Sequence, residues 1–365
     1  MINEKSIREP LFHIAKRTEL KWWKAWLIRG AAILIVSILC IGFTCIFTKL
    51  SPFKALKYLF TGNFGGGMLM DTIYNIAILL LISLAVAPAF KMKFWNIGAD
   101  GQVLVGCLAC AICSQYMGGK VPEFLLIIFM FLASIVASVI WAVIPAFFKA
   151  KFNTNETLFT LMMNYIATNL VMFFLESWMK KGSTGSKWEF RYGLLPELGN
   201  AYVLPIIVVS IVTVLMYFYL KYTKQGYEIA VVGESVNTAK YSGMSVKKVI
   251  IRTLIVSGIV CGIAGFILVN IEGKLDKTMV RGMGFTAIIV AWLARFNPIY
   301  MIMTSFLIIF SGQGMSEIMS KAGVTSGSQA FPDIITGLIF FFIIGCEFFI
   351  QYRLIICKHK KKEAE

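Results

Sequence analysis

Few residues of this chain are equipped to make or break bonds. Its histidines are His13 and His359, both in terminal tails, which excludes a core built on imidazole catalysis or imidazole metal ligation. Among the eight Cys, Cys107, Cys110 and Cys113 form CxxCxxC, a spacing used by thiolate-ligated iron–sulfur clusters. It falls inside an apolar run with no evident fourth ligand, which favours buried small residues instead. No Gly-x-x-x-x-Gly-Lys-Ser/Thr occurs, so the chain does not cradle ATP phosphates by that route. No cofactor and no metal is expected, and no enzymatic step. What remains is hydrogen bonding. Amides and rings stand within or beside apolar runs at Asn75, Asn96, Gln102, Asn164, Tyr165 and Phe285. Polar side chains inside a membrane bundle often mark a pathway, and this set suits a solute with hydroxyl groups and a ring. A plainer role competes at each. Asn96, Asp100 and Gln102 suit capping of a tight turn, Asn164 and Asn169 suit gluing helices together, and Phe285 suits core packing.

These residues need elements to hold them, and the composition says what kind. The 365 residues are 58% hydrophobic and 15% charged, against about 25% charged in ordinary soluble domains. The apolar residues arrive in blocks of roughly 20, the length that crosses a hydrocarbon core of about 30 Å. The fold expected is an all-α membrane protein, a polytopic bundle of about ten transmembrane helices. Residues 1–30 read as an N-terminal interfacial segment rich in Trp, residues 31–350 as the membrane domain, and residues 351–365 as a basic tail. A loop is expected over 49–71 and a polar loop over 311–331. Gly258 and Gly262 form a GxxxG, with Gly265 one turn on, which predicts close helix packing.

The net charge of +16 suits retention of cytoplasmic loops and contact with anionic lipid, with no basic-aromatic module for nucleic acid. With the N-terminus inside, inner segments hold 23 Lys and Arg and outer loops 12, so both termini and residues 221–248 fall in the cytoplasm. That stretch is polar, basic and flanked by apolar runs. Gly226, Gly233 and Gly243 break it, Ser235 suits an N-cap, and Gly243 suits a helix C-terminus. It reads as a folded docking element, with Gly233, Glu234, Ser235, Ala239, Tyr241 and Gly243 as its working residues.

Four stretches in order then carry a resemblance. NIGADGQ (96–102), NETLFTLMMNYIA (155–167), the stretch around GYEIAVVGES (226–235), and GMGFTAIIVAWLARFNP (282–298) resemble permease subunits of bacterial ABC importers. The branch is the one that handles nucleosides and simple sugars, similar to ribose permeases and related to branched-chain amino acid permeases. The sequence departs from the family pattern at Asp100, where Glu is usual, at Ala230, where Arg is usual, and at Ser235, where Asn is common. The resemblance implies a multi-pass protein of the bacterial cytoplasmic membrane. It also implies a partner ABC ATPase, a second homologous permease and an extracytoplasmic substrate-binding lipoprotein. Residues 221–248 become the ATPase coupling loop. The expected solute is a nucleoside, a simple sugar being the alternative. An ion-coupled secondary transporter is a rival reading, but the carboxylates cluster at loops and ends rather than in the core.

Overall fold

The computed structural model describes residues 12–16, 22–178, 187–195, 200–323 and 352–356, together with scattered positions over 331–348. The chain divides into two compact units, Met1–Gly62 with Ser311–Glu365, and Asn63–Phe310.

In the first unit, α1 (Trp22–Thr48) is followed by most of α2 (Pro52–Phe64), and the two helices meet at a bend of 105°. The expected loop over 49–71 is therefore mostly helix. Pro52 supplies the preset φ of a first helical position, and Lys54 and Lys57 lie on an exposed face rather than in a loop. Strand β1 (Phe12–Lys16) pairs antiparallel with β4 (Tyr352–Ile356), so these two segments lie side by side. The helix α12 (Pro298–Lys321) runs through Gln313 and Glu317, where a polar loop was expected. A Glu317–Lys321 pair one turn apart (3.6 Å) and close approach of Glu317 to Gly62 give those polar residues a helical role.

The second unit is a helical bundle. It contains α3 (Met68–Lys91), α4 (Ala99–Met117), α5 (Glu123–Phe152), α6 (Glu156–Trp178) and α7 (Val203–Tyr222). Two short helices follow, α8 (Lys224–Glu234) and α9 (Val236–Tyr241), then α10 (Val246–Glu272) and α11 (Met283–Leu293). Helices α3, α4 and α10 are almost wholly enclosed, and α5, α6 and α7 surround them. The outer helices show apolar stripes to the surroundings, such as Leu132, Val136 and Ile140 on α5 and Ile207, Ile211, Leu215 and Phe218 on α7. A stripe of that kind has lipid as its solvent.

Among the described residues six helices are long and apolar enough to span, or seven if α1 and α2 form one broken span. The expected count of about ten is not confirmed among these residues. Helix α11 has 11 residues, about 16 Å, roughly half the hydrocarbon thickness. Helix α4 opens with the polar turn ADGQ inside the protein rather than at its edge. The span expected over 332–349 lies largely outside the described residues.

Small residues set how closely the helices meet. A Cβ on Gly262 would lie 2.6 Å from the α-carbon of Ile135, and one on Gly258 would lie 2.7 Å from that of Val139, so the GxxxG face of α10 rests directly on α5. Ser134 Oγ donates to the Gly262 carbonyl (2.7 Å), closing the same contact. Cys107 and Cys110 are buried and donate to the carbonyls of Gly265 and Met130, which is the packing role their apolar surroundings favour.

Candidate functional site

The chain leaves α3 at Lys91 and does not turn straight into the next helix. Lys93 takes a left-handed φ of 60°, and residues 94–98 run inward, with Phe94 and Asn96 buried, before α4 begins. An irregular backbone at this depth must find partners in the protein, since lipid offers none. It does so through the polar residues picked out in the sequence. Asn96 Oδ1 accepts from the Gly98 amide (3.1 Å) and from Gln102 Nε2 (3.3 Å). Asn96 Nδ2 donates to Ser257 Oγ (3.4 Å), and Ser257 Oγ donates to Gln102 Oε1 (3.4 Å), joining the turn to α10. Ser138 Oγ of α5 donates to the Gln102 carbonyl (2.7 Å).

Asn164 of α6 holds the turn from the other side. Its Nδ2 donates to the Ile97 carbonyl (2.9 Å) and its Oδ1 accepts from the Gly101 amide (2.8 Å). Thr160, one turn earlier, accepts from the Ile97 amide (3.1 Å). Asp100 reaches across to the next element: its Oδ1 accepts from the Gly284 amide at 2.7 Å. The first turns of α4 and α11 thus converge on one carboxylate, which suits the positive end of each helix dipole.

Of the six residues expected to line a pathway, the structure therefore gathers Asn96, Gln102 and Asn164 into one buried cluster, with their amides engaged by the protein itself. Phe285 lies next to it, following Gly284, and is exposed. Tyr165 is exposed on α6, and its neighbour Asn169 bonds back to the Tyr165 carbonyl (2.8 Å). Asn75 stands half-buried on α3, next to Tyr74, whose ring pairs with Tyr202. Sequence reasoning missed Ser138, Thr160, Ser257 and the Asp100–Gly284 bond. Ser138 and Ser257 had a signal, since each is a small hydroxyl one helical turn after another in an apolar run; the Asp100–Gly284 bond joins residues 184 positions apart and had none.

The segment 221–248 is folded, though not as its glycines suggest. Thr223 caps α8 by accepting from the Gly226 amide (3.1 Å), and Ser235 caps α9 by accepting from the Thr238 amide (3.2 Å). Gly243, at φ 75°, closes α9. Gly226 and Gly233, however, lie inside α8. There they permit close approach: a side chain at Gly226 would strike the last carbonyls of α7, and one at Gly233 would strike the Lys91 carbonyl. Ala239 is buried in an apolar cluster with Ala89, Met92, Phe94, Ile229, Val232 and Val249. The Glu228–Arg252 ion pair (2.7 Å) ties α8 to α10. Of the six residues expected to work in docking, Gly233 and Ala239 anchor the segment to the bundle, Ser235 caps it, and Glu234, Tyr241 and Gly243 are exposed. Tyr241 is 93% exposed.

Comparison with known proteins adds an independent line. Residues 68–344 match the family described as branched-chain amino acid transport system / permease component. A glucose ABC transporter permease protein of Haloferax volcanii is 28% identical, with 90% of each chain covered. A guanosine ABC transporter permease protein of Bacillus subtilis is 29% identical over 80% of this chain and 85% of its own. A nucleoside ABC transporter permease protein of Lactococcus lactis is 25% identical over 78% and 80%.

Proposed function

The chain belongs to the branched-chain amino acid transport system permease family, among the ABC importer permeases of nucleosides and sugars, and we propose that it carries nucleosides across a bacterial cytoplasmic membrane. It makes and breaks no bond in doing so. A binding lipoprotein delivers solute from outside, the solute crosses between this chain and a second homologous permease, and a partner ATPase drives the cycle.

The observation that carries the coupling reading is α9. It is a capped helix set into the bundle through Ala239, and it offers Val236, Lys240 and Tyr241 to the surroundings. Such a helix transmits a push, because its buried side shares an apolar cluster with Met92 and Phe94 at the start of the inward turn. Movement of α9 would be felt first at that turn, where the Asn96–Gln102–Ser257 bonds lie. Met92–Gly98 is then the element that opens and closes the path, and Asn96, Gln102 and Asn164 act by holding it.

For the solute, the guanosine and nucleoside permeases among the relatives favour a nucleoside, and the glucose permease favours a sugar as the second reading. Competition in vesicles bearing all partner subunits separates them. Unlabelled uridine is expected to displace guanosine uptake, and ribose or galactose is not. Equal displacement by free sugars would overturn the nucleoside assignment.

A further inference from the structure

Helix α11 and the inward turn place two exposed Trp side by side. Trp95 is 43% exposed and Trp292 is 49% exposed, with ring centroids 5.4 Å apart. Lys93 and Arg295, both exposed, flank them, which sets the pair near the cytoplasmic edge of the membrane. Phe285, 45% exposed, stands seven residues before Trp292 on α11, a spacing that puts both rings on one helix face. At that deeper end lies Asp100, bonded to the Gly284 amide and partly exposed. From Gly284 to Trp292 the helix rises about 12 Å, so the carboxylate sits about that far inward from the Trp pair.

Lipid does not accept a carboxylate at such depth; ionisable groups within a membrane face a partner or a water-filled route. Among the described residues Asp100 is partnered by the Gly284 amide, not by a cation. The exposed side chains of α11 are apolar like the stripe of α5 at Leu132, Val136 and Ile140; what sets this face apart is the Asp100 carboxylate of α4 against its first turn.

We propose that Phe285, Asp100, Trp292 and Trp95 form the solute-facing wall of the path, the rings stacking the base and the Asp100 carboxylate accepting hydrogen bonds from sugar hydroxyls. This inference deepens the nucleoside reading and rests on it for the identity of the solute. It moves the solute contact away from Asn96, Gln102 and Asn164, whose amides are taken up in holding the turn. The wall also bears a negative charge, so it repels phosphorylated solutes while admitting neutral ones.

The test uses the complete complex in proteoliposomes. Phe285→Cys and, as a lipid-facing control, Ile140→Cys are treated with a hydrophilic maleimide, with the unsubstituted complex as blank. Phe285→Cys is expected to label at least tenfold faster than Ile140→Cys, and guanosine is expected to slow it at least threefold. Asp100→Asn keeps an oxygen for the Gly284 amide, so thermal stability should hold while maximal guanosine uptake falls at least tenfold. Trp292→Phe should retain most uptake and Trp292→Leu little. Equal labelling at the two cysteines, or full uptake by Asp100→Asn and Trp292→Leu, would overturn the wall. No guanosine uptake by the unsubstituted complex would instead overturn the nucleoside reading and the base-stacking role with it, while the labelling contrast would still decide whether α11 faces the path.

Discussion

Asn164 decides what the buried amides do. Both ends of its side chain are spent on the backbone, at the Ile97 carbonyl and the Gly101 amide. Leu at this position would leave two buried backbone groups without partners, at about 1–3 kcal/mol each. We expect Asn164→Leu to lower the thermal midpoint of the purified protein by several degrees and to reduce uptake by destabilising the turn. A variant of unchanged midpoint that still loses uptake would return Asn164 to direct solute contact. The sequence singled out Asn96, Gln102 and Asn164 because an amide in an apolar run stands out. It left open whether they bind solute or brace backbone, since that depends on a turn whose path into the bundle has no periodic signature. Gly262 makes a second case at this scale. Any side chain there meets the Ile135 backbone, so Gly262→Val is expected to cost several kcal/mol and to prevent assembly, read as loss of a monodisperse species in detergent.

Among the elements, α9 carries the argument for coupling. Its inner side is fixed by Ala239 and its outer side presents Tyr241. Tyr241→Ala touches nothing inside the bundle, so stability should hold while ATP hydrolysis by the partner no longer drives uptake; the ratio of solute moved to ATP consumed should fall at least fivefold. A wild-type ratio would remove α9 from the contact. Ala239→Asp, by contrast, buries a charge among Met92, Phe94 and Val232 and is expected to abolish folding rather than to uncouple. The caps at Ser235 and Gly243 were legible because capping is local chemistry. The fold of α8 was not. Gly226 and Gly233 look like helix breakers in a sequence, and only their neighbours, the ends of α7 and α3, show that they serve close approach.

The whole molecule poses the question of sidedness. The Asn63–Phe310 unit clusters the ends of α3, α5 and α8 with α9 and the start of α10. At the other ends of its helices, β2 (Lys187–Glu189) pairs with β3 (Lys274–Asp276), joining the loops that follow α6 and α10. The Lys and Arg excess assigns the first group to the cytoplasm. An impermeant amine reagent added outside should therefore modify Lys187 and spare Lys240; the reverse would invert the assignment. Hydropathy showed that the chain is a multi-pass helical protein, of whose spans six or seven stand among the described residues. A short apolar run such as α11 has the composition of a spanning helix and half the length, and its place beside Asp100 is a tertiary fact. The central claim concerns the driving force. Guanosine uptake should be measured into vesicles holding the permease pair, the ATPase and the binding lipoprotein, with enclosed ATP and with ion gradients collapsed by ionophores. The account predicts uptake that requires ATP and survives the ionophores. Uptake by this chain without the ATPase, driven by a proton or sodium gradient, would contradict it.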